Sequence, residues 1–238
     1  MDSIIIHCKT FLYDGFLSPK YIYISNSVNI YKYDSYYSSL KEIIIDDSET
    51  PLEICDFNGS KQFEKIYLGR NLSYSFYAPP FNITTANIKE IYIGDYVTSI
   101  VGLSLPAHKA LEKITIGKGL SYVPNLSKHS KLTSLTLNSE VPQEVWESDF
   151  SNAQYLYLNV YVPKGSLAAY QSADVWKNFW NLQEMETTDI NNVCFSSNDQ
   201  SVKESKYFDA TGREIKSVHK GLNIIKMSDG TTRKVIVK

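Results

Sequence analysis

Two histidines at equivalent positions of neighbouring segments are the first candidates for chemistry in this chain. His108 and His129 each stand three residues before a short segment of alternating apolar residues. Two adjacent imidazoles could begin a zinc site, which would need a third and a fourth ligand. The same position elsewhere holds Ser60, Thr85 and Phe150, which include no carboxylate or thiol. We therefore expect a structural role for both histidines, and no metal.

The remaining nucleophiles also form no catalytic set. His7 and Cys8 are adjacent, and neighbouring residues of a strand point to opposite faces, so they cannot act together as base and nucleophile. Cys8, Cys55 and Cys194 form neither a CxxC motif nor a disulfide framework. The segment PKGS at 163–166 lacks phosphate-loop spacing and is typical of a turn followed by a helix N-cap. We predict that the protein is not an enzyme, with no catalytic residue and no cofactor.

The composition argues against two classes of partner. The 238 residues contain 24 Lys and Arg against 26 Asp and Glu, a formal net charge of −2. A nearly neutral chain lacks the basic footprint of nucleic-acid binding, so no nucleic-acid partner is expected. No run of about 18 apolar residues is present, so no direct membrane insertion is expected. The N-terminal residues also lack the pattern of a secretory signal.

An internal repeat determines the predicted architecture. The clearest copies are FEKIYLG from Phe63, IKEIYIG from Ile88, LEKITIG from Leu111 and LTSLTLN from Leu132. Weaker copies begin at residues 19, 40 and 153, and residues 1–6 form a partial one. The mean period of about 22 residues lies in the range of leucine-rich repeats and below that of helical repeats. We predict a mainly β solenoid of about seven repeats, with a parallel ladder on one side and turns or short strands on the other.

Strand parity assigns the two faces of that ladder. The fourth and sixth residues of each copy are predicted to point inward: Ile22 and Ile24, Ile43 and Ile45, Ile66 and Leu68, Ile91 and Ile93, Ile114 and Ile116, Leu135 and Leu137, Leu156 and Leu158. The outward third residues alternate in charge over Glu42, Lys65, Glu90 and Lys113. In a parallel, in-register stack this alternation stabilises the correct pairing of neighbouring repeats. It specifies register and is not a catalytic arrangement.

The outward fifth residues form the most distinctive predicted surface. Read in order they are Tyr23, Ile44, Tyr67, Tyr92, Thr115, Thr136 and Tyr157. One explanation is β-propensity alone, because Tyr, Ile and Thr all suit a pleated surface. The other is a binding stripe, since tyrosine combines a large apolar ring with a polar hydroxyl. On the second reading the partner-binding candidates are Tyr23, Tyr67, Tyr92 and Tyr157.

The repeats resemble the BspA-like leucine-rich repeats of bacterial surface proteins. The resemblance is carried by DFNGSKQFEKIYLG at 56–69, VTSI at 97–100 and the segment 161–185. It implies a leucine-rich-repeat solenoid that is exposed at the cell surface and acts in adhesion or protein binding. The chain departs from that pattern at His108 and His129, where the family has a small residue or Cys. It also lacks the Asn or Cys ladder of ordinary leucine-rich repeats.

The end of the repeat array has its own pattern. Gly165 and Ser166 precede an amphipathic stretch, and Ser166 is a suitable N-cap. The apolar residues of this stretch can cover the last repeat: Leu167, Tyr170, Val175, Trp176, Phe179 and Trp180. We predict a solenoid domain over residues 1–185, with a capping helix near 166–182.

A polar linker then leads to a different pattern, so residues 186–238 are predicted to be a small all-β module. YFDATGREIKSV contains a turn, and KGLNIIKM and TTRKVIVK alternate as strands. The segment resembles the C-terminal sorting module of type IX-secreted Bacteroidetes proteins. The resemblance is carried by Tyr207, Phe208, Asp209, Gly212, Arg213, Gly221, Leu222, Ile224, Asp229, Gly230, Lys234, Val235 and Val237. It implies recognition by an outer-membrane translocon.

These patterns together predict a non-enzymatic, secreted or surface-exposed binding or adhesion protein. The expected partner is a host or bacterial surface protein or a glycan, bound by a monomer through the exposed face of the ladder. The expected location is extracellular or at the outer-membrane surface, although the sequence shows no export signal. Two alternatives stay open: a carbohydrate-binding accessory to an enzyme, and an inert spacer belonging to a larger surface protein.

Overall fold

The computed structural model divides the chain into two compact units, Met1–Thr187 and Thr188–Lys238. The residues that the structure describes are 3–13, 19–33, 39–54, 57, 62–74, 80–81, 87–103, 105, 108–185, 204–209, 213–215, 221–227 and 232–237. The described residues are mainly strands, with few helical segments. The prediction of a mainly β chain is therefore confirmed.

The first unit is built on a parallel sheet of nine strands. The strands are β1 Ser3–Ile6, β3 Tyr21–Ile24, β5 Glu42–Ile45, β7 Lys65–Arg70, β9 Glu90–Tyr96, β10 Lys113–Ile116, β11 Ser134–Leu137, β12 Asn159–Val162 and β13 Asn181–Glu184. They lie in the sheet in this chain order. Seven ladder strands were predicted from the full repeats. The partial copy supplies β1, which pairs with β3 from Ser3 to Ile6, and β13 adds a strand after the last repeat.

Four short strands form a second parallel sheet in the N-terminal half of this unit. These are β2 Thr10–Tyr13, β4 Ile30–Tyr33, β6 Leu52–Ile54 and β8 Leu72–Ser73, in that order. Chain order therefore alternates between the two sheets from β1 to β8. Further along, the corresponding residues Val97, Leu120 and Val123 are buried without forming a named strand.

The core lies on the inward side of the nine-stranded sheet. The residues predicted to point inward from β3 through β11 are at most 2% exposed. Aromatic rings also stack from repeat to repeat, starting from the partly buried Phe11 and continuing through buried rings: Phe11 on Tyr31 at 5.5 Å, Tyr31 on Phe57 at 6.0 Å and Phe57 on Phe81 at 5.3 Å between centroids. The face assignment is thus confirmed for these strands, because burial of their apolar side chains is what holds the repeats together.

Glycines follow the alternating residues of three copies, yet β7 and β9 continue through Gly69 and Gly94. A β-carbon on Gly69 would lie 2.6 Å from backbone and side-chain atoms of Asp47. One on Gly117 would lie 2.4 Å from the backbone of Gly94. These positions require glycine because the preceding repeat occupies the space of a side chain, and not because the strand must stop there.

The segment 153–159, predicted as a ladder strand, is largely helical. The helix α1 spans Asn152–Tyr157, and β12 begins only at Asn159. Ser151 caps α1: its hydroxyl accepts a hydrogen bond from the Gln154 N–H, while Gln154 Oε1 accepts one from the Ser151 N–H at 2.8 Å. This reciprocal capping box satisfies backbone donors that a helix start leaves unpaired. Leu158 is buried as predicted, whereas Leu156 is 68% exposed and its inward assignment is wrong.

The helix predicted near 166–182 is shorter and interrupted. The helix α2 spans Leu167–Ser172, a 3₁₀ turn follows at Trp176–Asn178, and β13 occupies part of the predicted helical range. Val175 separates the two helical pieces with a φ of 69°, a left-handed conformation that a helix cannot continue through. Tyr170 and Trp176 are nevertheless buried, in contact with each other at 5.4 Å between ring centroids.

In the second unit the described strands form a four-stranded antiparallel sheet. They are β14 Glu204–Asp209, β15 Glu214–Ile215, β16 Gly221–Met227 and β17 Thr232–Val237, in the order β15-β14-β16-β17. The strands predicted in KGLNIIKM and TTRKVIVK are present and pair with each other from Gly221–Val237 to Lys226–Thr232.

No helix among the described residues is long and apolar enough to cross a membrane.

Candidate partner-binding face

The outward side of the nine-stranded sheet carries two rows of side chains in register. Strand pairing places Lys65 beside Glu90 and Glu90 beside Lys113, and it places Tyr67 beside Tyr92. The same register continues on both sides, through β5 and β11. From β3 through β11, equivalent residues of successive repeats are therefore neighbours, as the sequence predicted, because these strands pair without a slip over four residues.

Ion pairs occupy the first row. Glu90 accepts from Lys65 Nζ at 2.8 Å and from Lys113 Nζ at 3.3 Å, so one carboxylate bridges two repeats. A parallel pair joins Lys89 to Glu64 at 3.4 Å. Partial burial raises the pKa of Glu90, but hydrogen bonds and charge from the two lysines outweigh it, and the net pKa is lowered. The alternating charges predicted to specify register do form cross-strand pairs here.

Tyrosine rings stack in the second row. Tyr67 and Tyr92 are half-buried, and their rings lie 4.5 Å apart between centroids at an interplanar angle of 6°. This is close to the general spacing of about 4.8 Å between adjacent strands of a sheet. Tyr23 is also half-buried, two strands away on the far side of Ile44. The sheet face thus presents a short, rigid aromatic surface at its centre.

Acidic and amide side chains hold the tyrosine hydroxyls in place. Tyr23 donates to Asp46 Oδ2 at 3.0 Å, and Tyr67 donates to Asp47 Oδ1 at 3.1 Å. Asn138 Nδ2 donates to the Tyr92 hydroxyl at 3.4 Å. Burial and then the neighbouring carboxylates raise the pKa of Tyr23 and of Tyr67 above the ordinary value. These phenols therefore stay protonated and keep fixed orientations.

Asp46 and Asp47 were not identified from the sequence as members of this surface. They directly follow β5, at the strand end where β7 and β9 have Gly69 and Gly94. The absence of side chains at these glycines leaves room for the Asp47 carboxylate, which lies within 3 Å of both glycine β-carbon positions. The available signal was a pair of carboxylates aligned with a row of glycines in the next repeats.

Tyr157 does not belong to the tyrosine row, and the position predicted for it on the ladder is wrong. It lies in α1, and the ladder position beside Thr136 is taken by Tyr161. The Tyr157 hydroxyl donates to the Ser130 carbonyl at 3.3 Å. Tyr161 is half-buried on β12 and continues the row that Tyr157 was expected to continue.

The two histidines lie inside the protein, close enough to each other to interact electrostatically. His108 Nε2 is 2.7 Å from the Leu103 carbonyl, and His129 Nε2 is 3.0 Å from the Leu105 carbonyl. Both side chains are at most 1% exposed. Burial, opposed by the hydrogen bond to Leu103, lowers the pKa of His108. His129 Nδ1 also lies 3.3 Å from the Leu126 carbonyl, so both histidines contact backbone carbonyls of nearby turns.

Two glutamines continue this buried polar arrangement towards the C-terminal end. Gln154 Nε2 donates to the Leu126 carbonyl at 3.0 Å and also contacts the His129 carbonyl at 3.4 Å. Gln143 Nε2 donates to the carbonyls of Gly117 and Leu120. Histidine and glutamine side chains thus pair turn carbonyls that would otherwise be buried without a donor.

The remaining candidates for chemistry do not converge. Cys8 is exposed and has a free thiol, while Cys55 and Cys194 lie outside the described residues. Within the described ranges no three His, Cys, Asp or Glu side chains are placed to hold a metal ion. The outward sheet face is therefore the best-organised candidate surface in this part of the chain.

A scan against protein-family models, a search of curated proteins and a search of solved structures each gave no match. The functional conclusion depends on the chemistry of the sheet face itself.

Proposed function

We propose that this protein is a non-enzymatic, exported binding protein that holds a surface protein or a glycan against the outward face of the nine-stranded sheet. Tyr67 and Tyr92 form the centre of the binding surface, with Tyr23 at one side. The ion pairs around Glu90 form its rim and orient the partner. The carrying observation is the stacked tyrosine pair, half-exposed and fixed through Asp47 and Asn138.

Rigid, half-exposed tyrosines favour binding for a physical reason. A partner that covers them removes a large apolar area from water, and little side-chain freedom is lost because hydrogen bonds already fix the rings. Aromatic anchors of this kind carry much of the energy in protein interfaces. Salt-bridged rim charges contribute orientation and association rate more than affinity.

The proposed architecture is a leucine-rich-repeat solenoid of the BspA-like type, with the 166–182 region covering its last repeat. It is supported by two parallel sheets that alternate along the chain, by a period of about 22 residues, and by the sequence resemblance. The second unit is proposed to be a sorting module that places the protein outside the cell. Its antiparallel strands are compatible with that role, and deletion of residues 188–238 should retain the protein inside a host with type IX secretion.

The test is a binding screen with two variants of the full chain. Wild-type protein is applied to immobilised matrix proteins and to a glycan array, and each hit is measured by surface plasmon resonance. The Tyr67→Ala, Tyr92→Ala double variant should bind at least about tenfold more weakly, as expected when two aromatic anchors are lost. Far-ultraviolet circular dichroism should be unchanged.

The matched control is Thr115→Ala with Thr136→Ala, which changes the same outward row on the next two strands. Its affinity should stay within about twofold of wild type, because these positions lie outside the tyrosine pair. If the tyrosine variant keeps full affinity for every hit, the proposed binding face is wrong. A hit restricted to glycans would identify the protein as a carbohydrate-binding accessory, and the absence of any hit would favour the spacer alternative.

A further inference from the structure

The N-terminal repeat forms the end of both sheets in the first unit. The strand β1 is the last strand of the nine-stranded sheet on that side, and β2 is the last strand of the four-stranded sheet. Along its whole length β1 pairs with β3, and no strand lies on its other side among the described residues. The opposite end of the larger sheet is different, because α2 packs against its last strand, β13. In this part of the chain, β1 is therefore the place at which the sheet can accept another strand.

The backbone groups of Ile5 point to that edge. The Ile6 carbonyl accepts a hydrogen bond from the Ser25 N–H at 3.0 Å, so the Ile6 backbone groups point towards β3. Backbone groups of successive residues point to opposite sides of a strand. The N–H and the carbonyl of Ile5 therefore both lie at the edge of the sheet, where they can begin a ladder with a further strand.

Side chains of the same strand keep apolar surface at this edge. Ile5 is 59% exposed, whereas Ile44, at the equivalent position inside the sheet, is partly buried. On the inward side Ile4 is partly buried, while its equivalents Ile22 and Ile43 are at most 1% exposed. Each repeat covers its neighbours, and β1 has a neighbouring strand on one side. Covering this edge would therefore remove apolar surface from water, which favours association.

The residues of β1 fit a second copy of the same strand. When two antiparallel strands pair about a two-fold axis, each side chain must lie opposite one on the same face. A pairing centred on Ile5 meets this condition, with Ile5 opposite its own copy and Ile4 opposite Ile6 of the second copy. Ser3–Ile6 contains no charged residue, so self-pairing brings no like charges together. Protected edge strands typically carry a lysine or a proline, and β1 has neither.

We propose that the protein forms a two-fold dimer in which β1 pairs antiparallel with β1 of a second copy. The axis is perpendicular to the sheet and passes beside Ile5, so that the two Ile5 residues exchange their N–H···O=C hydrogen bonds. The nine-stranded sheet then continues from one copy into the other. Because β2 ends the second sheet in the same repeat, its edge lies at the same interface. The contact is isologous and closes at two copies.

The dimer differs from the monomer that the sequence predicts, and it does not depend on what the tyrosine row binds. A rotation about an axis perpendicular to the sheet keeps both outward faces on the same side. The two copies then present two tyrosine rows on one continuous surface, which strengthens attachment to a target that repeats its binding site.

Other occupants of the edge are distinguished by the size of the species that form. A head-to-tail contact of β1 with β13 of the next copy would be parallel and would not close, so it gives a series of growing oligomers. A strand from a different protein, or a further segment of a longer chain, would leave the purified protein monomeric. The self-pairing of β1 stops at the dimer.

The experiment is sedimentation velocity on the full chain between about 1 and 300 μM. We expect a monomer–dimer equilibrium with a dissociation constant in the micromolar range, because the interface is small. Ile5→Lys should weaken dimerisation at least about tenfold, since two like charges would meet at the axis. The matched control is Ile44→Lys, which places the same charge in the same outward row inside the sheet. Its dissociation constant should stay within about twofold of wild type. Far-ultraviolet circular dichroism should be unchanged in both variants.

Cysteine cross-linking tests the register. In a Cys8→Ser background, Ile5→Cys places two thiols directly opposite each other, with α-carbons about 5.5 Å apart, which suits a disulfide. Oxidation by copper phenanthroline should convert this variant to a covalent dimer. Ser3→Cys in the same background should not be converted, because its two copies lie four residues apart, about 13 Å along the strands. A wild-type protein that stays monomeric, species larger than the dimer, a dimer insensitive to Ile5→Lys, or equal cross-linking of the two cysteine variants would each overturn the proposal.

Discussion

The central ladder and the segment at 152–162 share one apolar pattern and fold differently. IKEIYIG at 88–94 and AQYLYLN at 153–159 both alternate large apolar residues, yet the first forms β9 and the second forms most of α1. In the C-terminal repeat the ladder strand is NVYV at 159–162, which also alternates. Two adjacent segments therefore have the pattern of a ladder strand, and alternation alone does not predict which of them joins the sheet.

Capping and a buried amide account for the outcome. Ser151 and Gln154 form a reciprocal cap that begins a helix, and the same Gln154 side chain donates to carbonyls of the preceding repeat. A strand over residues 153–158 would place Gln154 at the second position of the copy, where Lys89 and Thr133 are more exposed. The comparison teaches that the repeat pattern predicts which segments can form a ladder strand. The pairing of polar groups then decides which of two neighbouring segments forms the strand.

The largest expected effect contrasts Ile91→Asp with Leu156→Asp. Both residues occupy the fourth position of their copies, which was predicted to point inward, but Ile91 is 2% exposed and Leu156 is 68% exposed. Ile91→Asp should lower the free energy of unfolding by at least about 2–5 kcal/mol, through lost packing and a buried charge. Leu156→Asp should cost less than about 1 kcal/mol. Urea unfolding followed by circular dichroism measures both, and equal losses would contradict the helical placement of Leu156.

The next largest expected change in stability concerns the second residue of each copy, which is Gln154 in the last copy and Thr133 in the one before it. Gln154→Ala should lower the free energy of unfolding by about 1–3 kcal/mol, because it leaves the Leu126 and His129 carbonyls without their donor and removes a cap partner. Thr133→Ala, at the equivalent position of the preceding repeat, should change it by less than about 0.5 kcal/mol because Thr133 is exposed. Chemical denaturation at pH 7 compares them. A Gln154 variant as stable as the Thr133 variant would mean that the buried amide is not what selects the helix.

A third prediction compares histidine with glutamine as the buried side chain at position 108, through the pH dependence of stability. The pKa of His108 is lowered in the folded state, so the unfolded chain takes up the proton first as the pH falls. The stability that His108 contributes is present above its unfolded pKa of about 6.5 and is lost below it, by at most about 1.4 kcal/mol per pH unit. His108→Gln should flatten the dependence of unfolding free energy on pH below 6.5. An unchanged slope relative to wild type would show that His108 is not buried as a neutral side chain.

The smallest expected change in stability tests the ion pairs between Glu90 and its two lysine neighbours. Glu90→Gln should cost less than about 1 kcal/mol, because the pairs with Lys65 and Lys113 are partly exposed and screened by salt. The pKa of Glu90 is lowered, so this difference from wild type is present above its ordinary pKa and shrinks as the pH falls through the folded value. Asn159→Gln changes the same row on β12, and its difference in stability from wild type should change with neither salt nor pH. Thermal unfolding at two salt concentrations distinguishes the variants, and a salt-independent loss in Glu90→Gln would argue against the pairing.

Much of the nine-stranded sheet was predictable because its information is local and repeated. Ile66, Ile91 and Ile114 are buried, and Lys65, Glu90 and Lys113 pair, because the same short pattern recurs and identical units stack by translation. The stacked Tyr67 and Tyr92 follow from that register without further information. Tyr67 and Tyr92 therefore lie side by side as predicted, whereas Tyr157 lies in α1 and not in the row; that the row binds a partner stays a prediction.

The amino-acid sequence by itself determined the repeat, the inward face and the register of the central strands, because each depends on residue spacing and on pairing between like units. Only the tertiary structure decided that Asp47 holds Tyr67, that Gln154 begins a helix, and that Gln143 pairs the carbonyls of Gly117 and Leu120. Each of these depends on a side chain meeting a group 20 or more residues away, or on the turn at which two segments meet. Such contacts have no periodic signature, and the free energy of pairing buried polar groups is realised only when the repeats are stacked.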